Sequence, residues 1–372
     1  MLDRNLFQYA GLETIYDKVM AGERLAFEDG VALIRNPFPN AVGSLAAHVR
    51  FQKHGANTGY VVNRQINYTN ICVNGCKFCA FRRDSLAEEG AFLLSQEQIL
   101  QRVEQAGAID ELHMVGGCHP DLRLEWFEEL LRKIRQLRPG LPIKAFTPVE
   151  IAHFAKMANI STKACLGRLK AAGLSMLPGG GAEIFDASLR SRICPHKADA
   201  EQWLAISGEA HALGLPTNCT MLFSHVETVE QRIDHLLRLR AQQDLSGGFT
   251  CFIPLPFLKA NSRLDLPPER RGPTGGLDYL RTIAVSRLML DNIPHIKAYW
   301  IMLGEKLAQV ALWYGADDLD GTITEERIGH MAGATAGQAL TESELRTMIR
   351  QSGFIPVRRN AGFEPVCGGA AA

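Results

Sequence analysis

From about residue 59 onward the chain alternates short β-type runs with longer helical stretches, and this limits its possible folds more than any other property. The expected strands lie at 61–67, 112–115, 142–146, 175–177, 216–222, 248–254, 296–300 and 310–313. Helical patterns fill the gaps, at 95–106, 124–137, 150–172, 228–244, 274–290 and 303–307. Parallel strands need a crossover, so regular alternation of this kind means a parallel sheet. Eight units in about 260 residues suit a closed (β/α)8 barrel of the TIM type. An open doubly wound sheet is the alternative, but no Gly-x-Gly-x-x-Gly follows the first strand, where a dinucleotide site would place it. Three parts are expected: a helical N-terminal extension over 1–58, the barrel over 59–321, and a C-terminal helical segment with a tail over 322–372.

Composition narrows the partners. The 40 basic and 40 acidic side chains cancel, and 46% of the residues are hydrophobic. A nucleic-acid groove or an anionic membrane favours a basic surplus, so neither is expected as a partner. No run of about 18 apolar residues is present to span a bilayer. The start, Met1-Leu2-Asp3-Arg4-Asn5, does not read as a secretory leader, so a cytoplasmic location is expected.

Three of the nine cysteines fall within eight residues, in Cys72-Val-Asn-Gly-Cys76-Lys-Phe-Cys79, just after the first expected strand. That is the C-terminal face, where barrel enzymes carry their sites. Three thiolates on one loop can hold three irons of a [4Fe–4S] cluster, which normally takes four cysteines, and so leave one iron open. A structural zinc site wants a fourth Cys or His nearby, and none lies between Cys79 and His113. A non-catalytic iron–sulfur protein, or a zinc site completed from elsewhere, acting as a carrier or scaffold, stays as the non-enzymatic alternative. Cys118, Cys165, Cys194, Cys219, Cys251 and Cys367 read as small buried hydrophobes.

The cysteine loop resembles the signature of the radical S-adenosylmethionine superfamily. The resemblance implies that Cys72, Cys76 and Cys79 ligate the cluster. It also implies that Phe78 packs on the adenine and that the Gly116-Gly117 pair meets the methionyl group. Further stretches narrow it. They are Gly116-Gly-Cys-His-Pro-Asp121, Lys144-Ala-Phe-Thr-Pro-Val-Glu-Ile151, Leu177-Pro-Gly-Gly-Gly-Ala-Glu-Ile-Phe185, Met221-Leu-Phe-Ser-His-Val-Glu-Thr228, Asp291-Asn-Ile-Pro-His-Ile-Lys-Ala-Tyr-Trp300 and Gly315-Ala-Asp-Asp-Leu-Asp-Gly-Thr322. This set resembles the aminofutalosine synthase family of the futalosine route to menaquinone. Cyclic dehypoxanthine futalosine synthases and the FO synthase subunits, which abstract hydrogen, are close relatives. Cys118 stands where that family has an aliphatic residue, Ser224 where it has Gly, and Leu258 where it has a more polar residue.

The family resemblance implies addition of an adenosyl radical to the enol ether of 3-[(1-carboxyvinyl)oxy]benzoate. It further implies S-adenosylmethionine as a consumed co-substrate and a low-potential electron donor as partner. A substrate with two carboxylates calls for cations or oriented N–H groups. Arg64, His119, His225, Lys144 and Lys297 are candidates at strand ends, with Glu227 in the loop after the fifth strand. Of these, Arg64, His119, His225 and Glu227 are the expected catalytic set, and Lys144 is placed with the cofactor. Glu183, after a triple-glycine turn, is placed to bind a ribose hydroxyl. Asp317, Asp318 and Asp320 miss the ligand pattern of a calcium loop and read as a helix cap after the last strand.

Overall fold

The computed structural model describes residues 2–268 and 275–366. Cys367 and the expected frayed end lie outside the described residues. Four helices come first, at Arg4–Tyr9, Glu13–Met20, Phe27–Arg35 and Pro39–His54. Their apolar sides, with Phe7, Ile15, Leu33 and Leu45, join one core with helix Gly276–Met289.

β1 (Asn57–Val61) and β2 (Asn63–Asn67) are halves of one strand, interrupted where the Val62 amide turns to the Asp110 carboxylate at 3.0 Å. β3 (Glu111–Val115), β4 (Ile143–Ala145), β5 (Thr217–Phe223), β6 (Phe249–Pro256), β7 (His295–Ile296) and β8 (Asp318–Gly321) follow. β2–β3–β4 and β5–β6–β7 are parallel ladders. Single parallel bridges close the ring. Lys144 with Met176 and Leu177 with Thr217 join β4 to β5 through segment 175–177. Lys297 with Asp318 joins β7 to β8, which pairs with β1, and Arg64 with Thr324 seals the seam. This is the closed eight-stranded barrel that the alternation predicts.

Strand parity sorts the side chains. Arg64, Leu112 and Ile143 stand in register, and Leu112 and Ile143 pack in the layer between sheet and helices. Neighbours on a strand point to opposite faces, so Gln65, His113 and Lys144 point into the barrel. The interior is not the aliphatic stack of most such barrels. Lys144 meets Glu111 at 2.5 Å, Lys297 meets Asp320 at 2.8 Å, and Arg359 meets Asp318 at 2.9 Å. Three cations and three anions thus cancel in one buried layer.

The eighth strand is not at 310–313, where the sequence suggests it. That stretch is the end of helix Glu305–Ala311 and a 3-10 turn at Leu312–Tyr314. Ala308, Ala311 and Leu312 are buried while Val310 and Trp313 are exposed, which is helical spacing. β8 comes instead from the aspartate motif, and the expected helix cap is overturned. Asp318 and Asp320 are strand residues in the charged layer, and Asp317 pairs with Arg287 and with His295 at 2.6 Å. The helix expected over 150–172 divides into Pro148–Ala158 and Thr162–Ala172, because Asn159 takes a left-handed conformation (φ 53°) and Ser161 caps the second helix.

The C-terminal segment carries helix Glu342–Gln351, started by a Thr341/Glu344 capping box, and then a ninth strand, β9 (Ile355–Arg358). β9 pairs in parallel with β1, and the next residue, Arg359, enters the floor of the barrel. No helix among the described residues is long and apolar enough to cross a membrane.

Candidate functional site

The cysteine loop leaves the top of β2 and is held down by its backbone. Arg83 N–H donates to Asn70 (2.8 Å), Cys72 N–H to Arg83 (3.1 Å) and Val73 N–H to Cys118 (3.1 Å). Cys72, Cys76 and Cys79 are half-buried and free of disulfides. Their sulfurs are not all within 4.8 Å of one another. A tetrahedral zinc with Zn–S bonds of about 2.3 Å would draw its sulfurs to about 3.8 Å. The Cys118 thiol hydrogen bond lowers Cys72 to about 6, whereas burial raises Cys76 and Cys79. The nearby Lys197 ammonium pulls the latter two back toward the thiolate that metal ligation needs.

The glycine pair lies against this loop for a steric reason. A Cβ on Gly116 would come 2.6 Å from the Tyr68 ring, and one on Gly117 would overlap the Ile71 carbonyl. Both amides are used within the chain: Gly117 donates to Thr69 O (2.8 Å) and Gly116 to Glu150 (3.1 Å). Glu150 also accepts from the Tyr68 hydroxyl at 2.6 Å and from Thr147, and burial pushes its carboxyl up to about 7. Cys118 follows the pair, buried against Asn74.

The triple-glycine turn brings a second group to the same place. Glu183, in a left-handed conformation (φ 51°), forms an ion pair with Lys197. The Lys197 ammonium lies 5.5 Å from the centre of the half-buried Phe78 ring. Phe78, Gly116, Gly117, Glu183 and the three cysteines therefore share one end of the barrel.

Of the expected catalytic residues, His119, His225 and Glu227 lie on loops at this same end, where Val226 and Phe78 pack on one cluster, whereas Arg64 stands apart. Arg64 has outward parity and pairs with Glu325 at 2.9 Å, beside Arg102 on helix Gln96–Glu104. His225 is fully buried, with Nε2 on Leu222 O (3.0 Å) and Nδ1 near Glu227 (3.2 Å). Glu227 accepts from the amides of Ser224 and His225 and from Arg232 at 2.6 Å, which clamps a loop where Ser224 adopts φ 69°. That backbone explains the family's preference for Gly at this position. His119 is buried and accepts from the Asp121 amide (3.1 Å), so it stiffens its own turn. Lys144 is spent on Glu111 in the charged layer. Each of these five groups thus has a partner within the chain, where it holds backbone or balances charge.

Sequence reasoning missed Lys197 and Glu150, whose partners come from distant loops, and His113 and Tyr299. Strand parity on β3 would have found His113. Another metal-ligand set among the described residues, His54, His295 and Asp317, sits at the opposite pole, where Arg287 and the Ile296 amide already hold Asp317.

A closed parallel barrel with three free cysteines at the C-terminal end of its first strand is the fold and site of a radical S-adenosylmethionine enzyme. A model of the Radical SAM superfamily matches residues 66–239, and one of the CofH/MqnC C-terminal region matches 246–367. The chain is 45% identical over 354 residues to an aminodeoxyfutalosine synthase of Thermus thermophilus, covering 95% of each chain. It is 40% identical over 368 residues to that of Streptomyces coelicolor, covering 95% of this chain and 94% of the other. It is also 40% identical over 331 residues to a 5-amino-6-(D-ribitylamino)uracil–L-tyrosine 4-hydroxyphenyl transferase of Methanopyrus kandleri, covering 88% and 89%. Methylornithine synthase shares the fold, with a TM-score of 0.73 at 19% identity over 92% of this chain and 97% of that one. The chain belongs to the aminodeoxyfutalosine synthase family, radical S-adenosylmethionine enzymes of the futalosine route to menaquinone, which use a [4Fe–4S] cluster and S-adenosylmethionine.

Proposed function

We propose that the enzyme joins the 5′-deoxyadenosyl group of S-adenosylmethionine to 3-[(1-carboxyvinyl)oxy]benzoate. A carboxyl group leaves as carbon dioxide or bicarbonate, and the products are 6-amino-6-deoxyfutalosine and methionine. The observation that carries this reading is the 45% identity over 95% of the chain, together with the free cysteine loop at the barrel mouth.

Cys72, Cys76 and Cys79 hold three irons and leave the fourth for S-adenosylmethionine. The cluster, when bound, supplies the electron that cleaves the sulfonium. The chain's own residues position and shield. Phe78 offers an aromatic face to the adenine, and the Glu183–Lys197 pair lies beside it to meet ribose hydroxyls and the methionyl carboxylate. Glu150 fixes the Gly116–Gly117 turn against which the methionyl group lies. The barrel wall keeps water and stray hydrogen donors from the reacting atoms and holds the two substrates at near-attack distance. The catalytic barrel spans 59–321, with 1–58 packed on its outer helices and 322–372 as a C-terminal segment. The enzyme works in the cytoplasm with a low-potential electron donor.

The test is an anaerobic assay of cluster-loaded protein with dithionite, S-adenosylmethionine and 3-[(1-carboxyvinyl)oxy]benzoate, read by mass spectrometry. A covalent adenosyl adduct with methionine release is expected, and Cys76→Ala should abolish it. Formation of 5′-deoxyadenosine alone would shift the reading to the hydrogen-abstracting relatives. L-tyrosine with 5-amino-6-(D-ribitylamino)uracil is then the substrate pair to try, given the 40% identity to that transferase.

A further inference from the structure

Above the charged layer the barrel holds two polar groups with nothing to bond to. His113 points inward from β3, level with Lys144 and one pleat above Glu111. Tyr299 stands two residues beyond Lys297, on the same inward parity. Both are enclosed deep in protein yet keep accessible surface, the mark of an interior cavity. Glu111, Asp318 and Arg359 below them are closed off, so the opening comes from the cysteine end. Neither the His113 ring nitrogens nor the Tyr299 hydroxyl has a hydrogen-bond partner among the described residues, although polar groups at this depth normally have one.

Every cation of the layer is already paired, so no free ammonium or guanidinium of that layer faces the cavity. An oxygen-rich ligand entering there meets the neutral His113 and Tyr299 donors, while the nearby Glu326 and Asp320 carboxylates are taken up by the Gly329 amide and Lys297. Burial lowers His113 to about 4, which leaves the imidazole uncharged, with one N–H to give. His113 lies three residues before Gly116 on the same strand, about 10 Å at the rise of a strand. That separation is the length of strand between the glycine turn and this floor.

We propose that His113 and Tyr299 bind the co-substrate by donating hydrogen bonds to its carboxylate oxygens, on the floor of the barrel opposite the cluster. This rests on the reaction proposed above and names the groups that read its second substrate. Recognition by neutral donors lets an anion bind without upsetting the balanced charges beneath.

The experiment uses cluster-loaded wild type, Tyr299→Phe and His113→Leu, with melting temperature as the check of folding and Tyr299→Phe as the milder change. Equilibrium dialysis measures binding of 3-[(1-carboxyvinyl)oxy]benzoate. The paramagnetic resonance signal of the reduced cluster, with and without S-adenosylmethionine, reports the other substrate. Each loss should weaken the dicarboxylate about tenfold, the worth of one hydrogen bond of about 1.4 kcal/mol, and leave the S-adenosylmethionine response unchanged. Unchanged dicarboxylate affinity in both variants, or a matching loss of the S-adenosylmethionine response, would overturn the assignment. Binding by wild type without product would sink the reaction but leave the assignment standing, whereas no binding by wild type would sink both.

Discussion

Gly117 faces the Ile71 carbonyl so closely that a methyl group on its α-carbon would overlap that oxygen. The obstacle is backbone, not a side chain that can swing away. Gly117→Ala should therefore displace the start of the cysteine loop while the barrel stays folded. Iron per chain after reconstitution should fall at least several-fold with little change in far-ultraviolet circular dichroism; full iron retention would show that the close approach is not needed.

Glu227 tests whether the buried carboxylate after β5 is structural. It bonds two loop amides and Arg232, which Asp278 and Thr282 also hold. Removing one partner of a buried pair costs about 3–5 kcal/mol. Glu227→Gln should lower the urea midpoint accordingly. Turnover per folded molecule at low temperature should stay near wild type, and a large loss there would show a catalytic role instead.

Glu150 makes stability depend on pH. Burial raises its carboxyl from 4.5 to about 7 in the fold. A raised value favours the neutral acid, so its contribution is complete below pH 4.5 and is lost as pH rises through 7. Between pH 4.5 and pH 8 the wild type should lose about 3 kcal/mol relative to Glu150→Gln, because each tenfold weakening of an acid is worth about 1.36 kcal/mol. Parallel stability curves for the two proteins would contradict this.

His330 is raised as well, for another reason. Its hydrogen bond to Glu326 brings it to about 9, and Nε2 meets Ala336 O at 3.1 Å. The imidazolium pins segment 326–336. That contribution is full below pH 6.5 and disappears as pH climbs through 9. Proton resonances of His330 should titrate near 9, and Glu326→Gln should bring the midpoint back toward 6.5.

What could be read from the sequence was local. Cys72, Cys76, Cys79 and Phe78 lie within eight residues, so their relationship needs no knowledge of the fold. The parallel barrel followed from alternation, which is also local. Val310-Ala-Leu-Trp313 was misleading because a short apolar run reads equally as strand or helix end. β8 escaped because its aspartates look solvent-facing until Lys297 and Arg359 arrive from other strands. The same distance hid the Glu183–Lys197 pair and the Arg232 partner of Glu227. A polar residue beside a motif is as often a clamp for the loop, and only its partners tell which.

β9 pairs Ile355 with Asn57, and Arg359 then neutralises Asp318. The first strand thus waits for β9, far along the chain, before its lower edge is sealed. On the ribosome the cysteine loop emerges early, while the floor beneath it stays open until β9 and Arg359 have been made. Long-range pairing of this kind is slow and leaves an edge exposed meanwhile. The nascent barrel therefore leaves its thiols uncovered well before it can close around them.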